Sequence, residues 1–121
     1  MKRFLAGMLT GWLILGLTVV AKNSASENIV QPRVLVENQK VKMVRWKLQP
    51  GERSRVHTHS LDHIYVVVHG SKIREYLPDG KTNDDEQETG RAAFSVAKSK
   101  THSFENIGTE PYEMVSIELK Q

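Results

Sequence analysis

Gly51-Glu-Arg-Ser-Arg-Val-His57-Thr-His59-Ser-Leu-Asp-His63-Ile-Tyr-Val-Val-Val-His69-Gly70 carries four of the five histidines in the chain. Residues two apart on an extended strand share a face, with about 6.6 Å of rise between them. His57 and His59 therefore project to one side and can converge on a single ion where the strand curves. His63 keeps their parity across the short turn Ser60-Leu61-Asp62, so it can face the same interior. His69 has that parity too, but it lies about 20 Å beyond His63 along an extended chain. It cannot reach the same ion and reads as a strand-end residue. Between the two, Ile64 to Val68 is an apolar run without alternation, the pattern of a strand covered on both faces.

Short strands continue on both sides of this stretch. Upstream, Val34 to Glu37 and Val41 to Leu48 form a pair, with Val44, Trp46 and Leu48 on one face and Arg45 and Lys47 on the other. Pro50-Gly51 closes the second. Downstream, Lys72 to Tyr76 leads into Pro78-Asp79-Gly80, a turn in which Pro presets one φ and Gly accepts a positive one. Asn83 to Glu88 is acidic and reads as a loop or exposed hairpin. Ala92 to Val96, His102 to Asn106 and a last strand with Val115, Ile117 and Leu119 in alternation complete the pattern. No segment after the N-terminal region sustains a helical period. Many short strands at regular spacing predict an all-β, antiparallel sandwich or small barrel. A β core of about 100 residues closes with little to spare, so a homodimer that completes the sheets is expected.

The 121 residues suit one domain, and the absence of cysteine excludes disulfides, thiolate metal sites and a cysteine nucleophile. Any metal must be held by His, Asp or Glu. Lys2-Arg3 followed by the uncharged run Phe4 to Val20, ending at Val19-Val20-Ala21, has the layout of a signal peptide over residues 1–21. An uncleaved anchor helix is the alternative. Either way the rest of the chain is expected outside the cytoplasm, periplasmic or extracellular, with no membrane contact beyond that segment. Residues 22–33 read as a polar arm and 34–121 as the domain. Seventeen Lys and Arg against fourteen Asp and Glu give +3, but loss of Lys2 and Arg3 leaves fifteen against fourteen, or +1. So small a charge gives no case for a nucleic-acid partner; a small molecule is the expected one.

The spacing Gly51-(five)-His57-x-His59-(three)-His63-(six)-Gly70 resembles the first motif of the cupin superfamily, with His63 where those proteins usually carry glutamate. His102-Ser-Phe-Glu-Asn106 is similar to the end of the second motif. Ahead of it, Ala97-Lys98-Ser99 replaces the usual Pro-x-Gly, and Gly90 is one position off. The resemblance spans Val41 to Leu119. It implies a jelly-roll barrel binding a divalent transition metal (Fe, Mn, Zn, Cu or Ni) through His57, His59, His63 and His102, with His63 alternatively a hydrogen-bond donor behind the ligands or a base beside the metal. Asn106 would support the His102 strand.

An all-imidazole ligand set leaves the full divalent charge uncompensated, where a glutamate would cancel one unit. Such an ion is a stronger Lewis acid and attracts an anionic, chelating substrate. Arg53 and Arg55 precede His57 with its parity, and Arg55 is the candidate to anchor a carboxylate, an exposed place on the loop after Pro50-Gly51 being the alternative. Tyr65, Phe94 and Phe104 read as core, and Asp62 as a residue that orients its turn. The resemblance to His-rich cupin dioxygenases implies an oxygenase acting on a small diketone-like or catecholic anion. A redox-neutral isomerase, lyase or decarboxylase, and a non-catalytic metal- or ligand-binding module, are the alternatives.

Overall fold

The computed structural model describes residues 28–98 and 100–121. The segment read as a signal peptide, 1–21, and residues 22–27 of the arm lie outside the described residues. Eleven strands make up the described chain, with no helix among them: β1 Ile29–Val30, β2 Arg33–Glu37, β3 Val41–Leu48, β4 Arg53–Ser54, β5 His57–His59, β6 His63–His69, β7 Ser71–Tyr76, β8 Thr82–Gln87, β9 Ala92–Ser95, β10 Lys100–Asn106 and β11 Tyr112–Leu119.

They form two sheets. One has the order β1-β4-β10-β7-β8 with β5 also paired to β10, and the other β2-β3-β11-β6-β9. All pairings are antiparallel except β1 with β4. This is the all-β antiparallel sandwich that the strand pattern predicts, in the jelly-roll form that the resemblance implies. Ile29-Val30, read as part of a polar arm, is a short strand, because Asn28 and Val30 accept hydrogen bonds from the Arg53 and Arg55 amides. The acidic stretch is the exposed arm of the β7–β8 hairpin. Its turn needs the positive φ of Gly80 (85°), and Asp79 accepts from the Lys81 amide.

The alternation on β3 sends Trp46 and Leu48 inward, where they meet Val67, Ile73, Phe104 and Tyr112 in a single cluster. Asn106 is fully buried beside it and spends its amide on four partners. Its Nδ2 donates to the Leu48 and Glu110 carbonyls, and its Oδ1 accepts from the Ser71 hydroxyl and the Gly108 amide. That hub ties the end of β10 to the loop before β11. One reading is not met among the described residues: they leave Val68, on the outer face of β6, 47% exposed.

Candidate metal centre and its cavity

β5 and β10 pair antiparallel with His57 opposite His102. Directly opposed side chains start only about 4.5–5.5 Å apart at Cβ, and here the two rings sit 4.6 Å apart, centroid to centroid. His59, two residues on, returns to the same face and lies 4.8 Å from His57 and 5.0 Å from His102. One ring nitrogen from each of the three falls within 4.8 Å of the others. Trp46 packs 5.0 Å from the His57 ring and closes the site from behind.

Hydrogen bonds set which nitrogens face the centre. His57 Nδ1 donates to the Arg55 carbonyl at 2.9 Å, which leaves its Nε2 with a lone pair. His102 Nδ1 donates to Glu75 Oε2 at 2.7 Å, with the same consequence. Glu75 also accepts from Lys100 Nζ at 2.9 Å and from Asn83 Nδ2 at 3.4 Å. Burial works against its charge, but the bonds from Lys100, His102 and Asn83 prevail and hold the carboxyl down at about 2. Burial pushes His57 down to about 4. His59 goes to about 3, through burial and then the neighbouring His63. Burial lowers His102 too, against the pull of Glu75. Near neutral pH all three imidazoles are therefore uncharged, the form that ligates a metal.

The residues present fit such an ion. Four buried side-chain polar atoms lack a partner among the described residues: His57 Nε2, His59 Nδ1, His102 Nε2 and Ser116 Oγ. Buried polar groups are otherwise almost always satisfied, so a cluster of orphans marks a place for an ion or ligand. Three are the triad. The fourth lines an adjoining cavity of about 550 Å³, within the ~300–1,000 Å³ of small-molecule sites. Its apolar wall includes Tyr65, Ile73, Phe104 and Met114, and Lys98 and Lys100 are its cations.

His63 stands beside this triad. It belongs to β6, opposite Glu118 of β11, and its ring stacks on His59 at 4.3 Å and 18° while its Nδ1 points to the Leu61 carbonyl at 3.3 Å. The β5–β10 ladder gathers three imidazoles; His63 comes from the opposite sheet and meets His59 face to face. Glu118 Oε1 lies 3.7 Å from His59 Nδ1. Arg55 is exposed and lends the site only its carbonyl. Arg53 donates from Nε and Nη2 to Ser103 Oγ and lies 3.6 Å over the Tyr76 ring. Neither arginine is among the cavity-lining residues. His69 Nδ1 donates to the Pro111 carbonyl at the other end of β6. Asp62 holds the Ala97 amide at 2.6 Å. Tyr65 and Phe104 face the cavity, whereas Phe94 is 56% exposed.

Sequence reasoning missed Glu75, Asn83, Asp85 and Gln87, all of which line the cavity. The signal was period two in the acidic stretch. Positions 83, 85 and 87 share one face of β8 and sit opposite Glu75, Ile73 and Ser71 of β7.

No protein-family model and no curated protein matches the sequence. Solved structures do. A cupin domain from Bordetella pertussis Tohama I is 24% identical with a TM-score of 0.68, over 75% of this chain and 93% of that one. A conserved protein with a double-stranded β-helix domain from Klebsiella pneumoniae is 20% identical with a TM-score of 0.57, over 81% and 95%. The polyketide cyclase RemF from Streptomyces resistomycificus is 19% identical with a TM-score of 0.55, over 74% and 64%. The fold shared with these structures is the cupin double-stranded β-helix.

Proposed function

We propose that this chain is an exported metalloenzyme that takes a small chelating anion onto a divalent transition metal held by His57, His59 and His102, with oxygenase chemistry as the leading reading. The observation that carries it is the set of three neutral imidazoles with unpartnered nitrogens at one end of a cavity whose remaining orphan is the Ser116 hydroxyl. A transition metal there supplies Lewis acidity and, if redox-active, a means of activating dioxygen. Glu75 keeps the proton of His102 on Nδ1, so Nε2 faces inward. Lys98 and Lys100 draw in an anion, the Tyr65–Phe104–Met114 wall takes its apolar body, and Ser116 is free to donate to a substrate oxygen. The Lys2-Arg3 and Phe4 to Val20 pattern supports export.

Elemental analysis of the protein, purified without added metal, tests this. About one transition metal per chain is expected, lost in His57→Ala and kept in His63→Ala and His69→Ala. A chain without metal, or a His57→Ala variant that keeps it, overturns the site. Dioxygen uptake with a catecholic or diketone-like anion then supports oxygenase chemistry. A second reading is redox-neutral Lewis-acid catalysis. It is favoured by a triad without a carboxylate and by the occurrence of a protein named as a cyclase on the same fold. Turnover without dioxygen uptake selects it.

A further inference from the structure

Strand β8 reads Thr82-Asn-Asp-Asp-Glu-Gln87 and has no apolar residue on either face. Outward charges suit an edge strand, where they keep another chain from pairing; Asp84, for one, is held by Arg74 Nε at 2.8 Å. The inner face of such a strand is ordinarily apolar, yet here Asn83, Asp85 and Gln87 line the cavity, across from Tyr65 and Met114. An inward charge can also blunt an edge, but that purpose requires no particular atom to be left free. Two of these side chains each keep an acceptor oxygen unspent among the described residues. Glu75 accepts from Lys100 Nζ and His102 Nδ1, and a carboxylate has nothing to donate. The Asn83 amide therefore meets it with Nδ2, at 3.4 Å, and keeps Oδ1 for another partner. Arg91 Nη1 takes Asp85 Oδ2 at 2.8 Å and leaves Oδ1.

The cavity is thus polarised. Lys100, in register with His59, marks a cationic metal end, and β8 supplies a wall of acceptors. Asn83 lies opposite Glu75, and Glu75 opposite Phe104, two residues past His102. From His102 that is two strands across and two residues along, roughly 12 Å between Cα atoms. One ring with a chelating head at one end and a donor at the other bridges such a span. Resting on the reading of the metal end proposed above, we infer that β8 sets the specificity of the cavity. The substrate is a chelating anion built on one six-membered ring, whose far edge carries a hydrogen-bond donor, a hydroxyl or an amine, received by Asn83 Oδ1 and Asp85 Oδ1. Tyr65 and Met114 cover the face of that ring. A second carboxylate at the far edge would meet two acceptor oxygens and be rejected.

Para-substituted benzohydroxamates test this, because their common head chelates a divalent ion without redox chemistry and only the far substituent varies. Binding to the protein loaded with zinc is read by calorimetry. Para-hydroxybenzohydroxamate should bind about 10-fold more tightly than the similarly shaped para-methyl compound, the effect of one hydrogen bond to a charged acceptor at a partly exposed site. Para-carboxybenzohydroxamate should bind more weakly than either. The preference for hydroxyl over methyl should disappear when Asn83→Leu and Asp85→Leu are combined, and should survive Asp85→Asn, which keeps an acceptor in place. The comparison in the parent protein needs no variant, so a double variant that fails to fold leaves the test standing. Equal binding of the hydroxyl and methyl compounds overturns the inference and leaves the metal reading intact. Tightest binding of the carboxylate overturns it as well and gives the wall to Arg91. A preference that outlasts both leucine changes removes it from β8. If none of the three binds, the reading of the metal end falls, and the inference falls with it.

Discussion

The two ends of the sandwich are built from the same strands to opposite rules. At one end Trp46, Leu48 and Val67 close into a core with Ile73, Phe104 and Tyr112, which also form the floor of the cavity, and the polar atoms there are spent, as the four bonds of Asn106 illustrate. At the other end the inward positions of the same elements turn polar: β6 begins at His63, β10 carries His102, and β11 offers Ser116 and then Glu118. There the buried polar atoms are left unspent. The closed end stabilises the fold, and the open end is held in a state that costs stability until something binds. Sites preorganised for function commonly carry such a cost.

The largest effect that would break this division is at the closed end. Leu48 is fully buried, so Leu48→Ala should cost about 2–5 kcal/mol by chemical denaturation. Its metal content per folded chain should nonetheless be that of the parent. Loss of metal from chains that remain folded would mean that the two ends are one cooperative unit.

How much of this was legible beforehand differs between the ends. The closed end is written in period two. Val44, Trp46 and Leu48 alternate over a long strand, and the structure buries them or packs them on the core. The histidines were legible too, because His57-x-His59 on one strand and His102 on a later one need only a common face. What escaped was whatever depends on register between strands. Nothing local says that His57 will lie opposite His102, that Glu75 will reach His102 Nδ1, or that His63, with the right parity, will come from the other sheet and stack on His59. Arg55 was open to two readings, a carboxylate anchor or an exposed residue after Pro50-Gly51, and the structure exposes it: it follows the residues of β4 but lies in the loop before β5, where parity no longer fixes direction. The run Ile64 to Val68 implied a second cover for β6 that the described residues do not provide.

A smaller effect sharpens the account of the open end. Glu75→Gln keeps the shape but loses the charge that fixes the His102 tautomer. Metal affinity, followed by competition with a chelator, should fall roughly 10–100-fold, the usual consequence of losing a carboxylate behind a ligating imidazole. Thermal stability of the metal-free chain should change little by comparison. An unaltered affinity would reduce Glu75 to a surface partner of Lys100.

The smallest expected effect is the pH response of the metal-free protein, and its sign follows from the buried imidazoles. His57 and His59 are held well below the ordinary 6.5, at about 4 and about 3, chiefly by burial. Above pH 6.5 neither the folded nor the unfolded chain protonates them, and stability is flat on their account. As pH falls below 6.5 the unfolded chain takes up protons that the folded one refuses, so stability is lost progressively down to those lowered values. Glu75 adds its own loss only below its ordinary 4.5, because its carboxyl stays ionised in the folded chain to about 2. The interval from pH 6.5 to 4.5 therefore isolates the histidines. The melting temperature should fall steadily across it, and the slope should flatten in His59→Leu, which removes one of the three lowered imidazoles. Leu48→Ala should shift the whole curve without flattening it. A parent protein with no slope in this interval would mean that the imidazoles are more open to water than their packing against Trp46 and Phe104 implies, and the open end would then be an ordinary solvated rim.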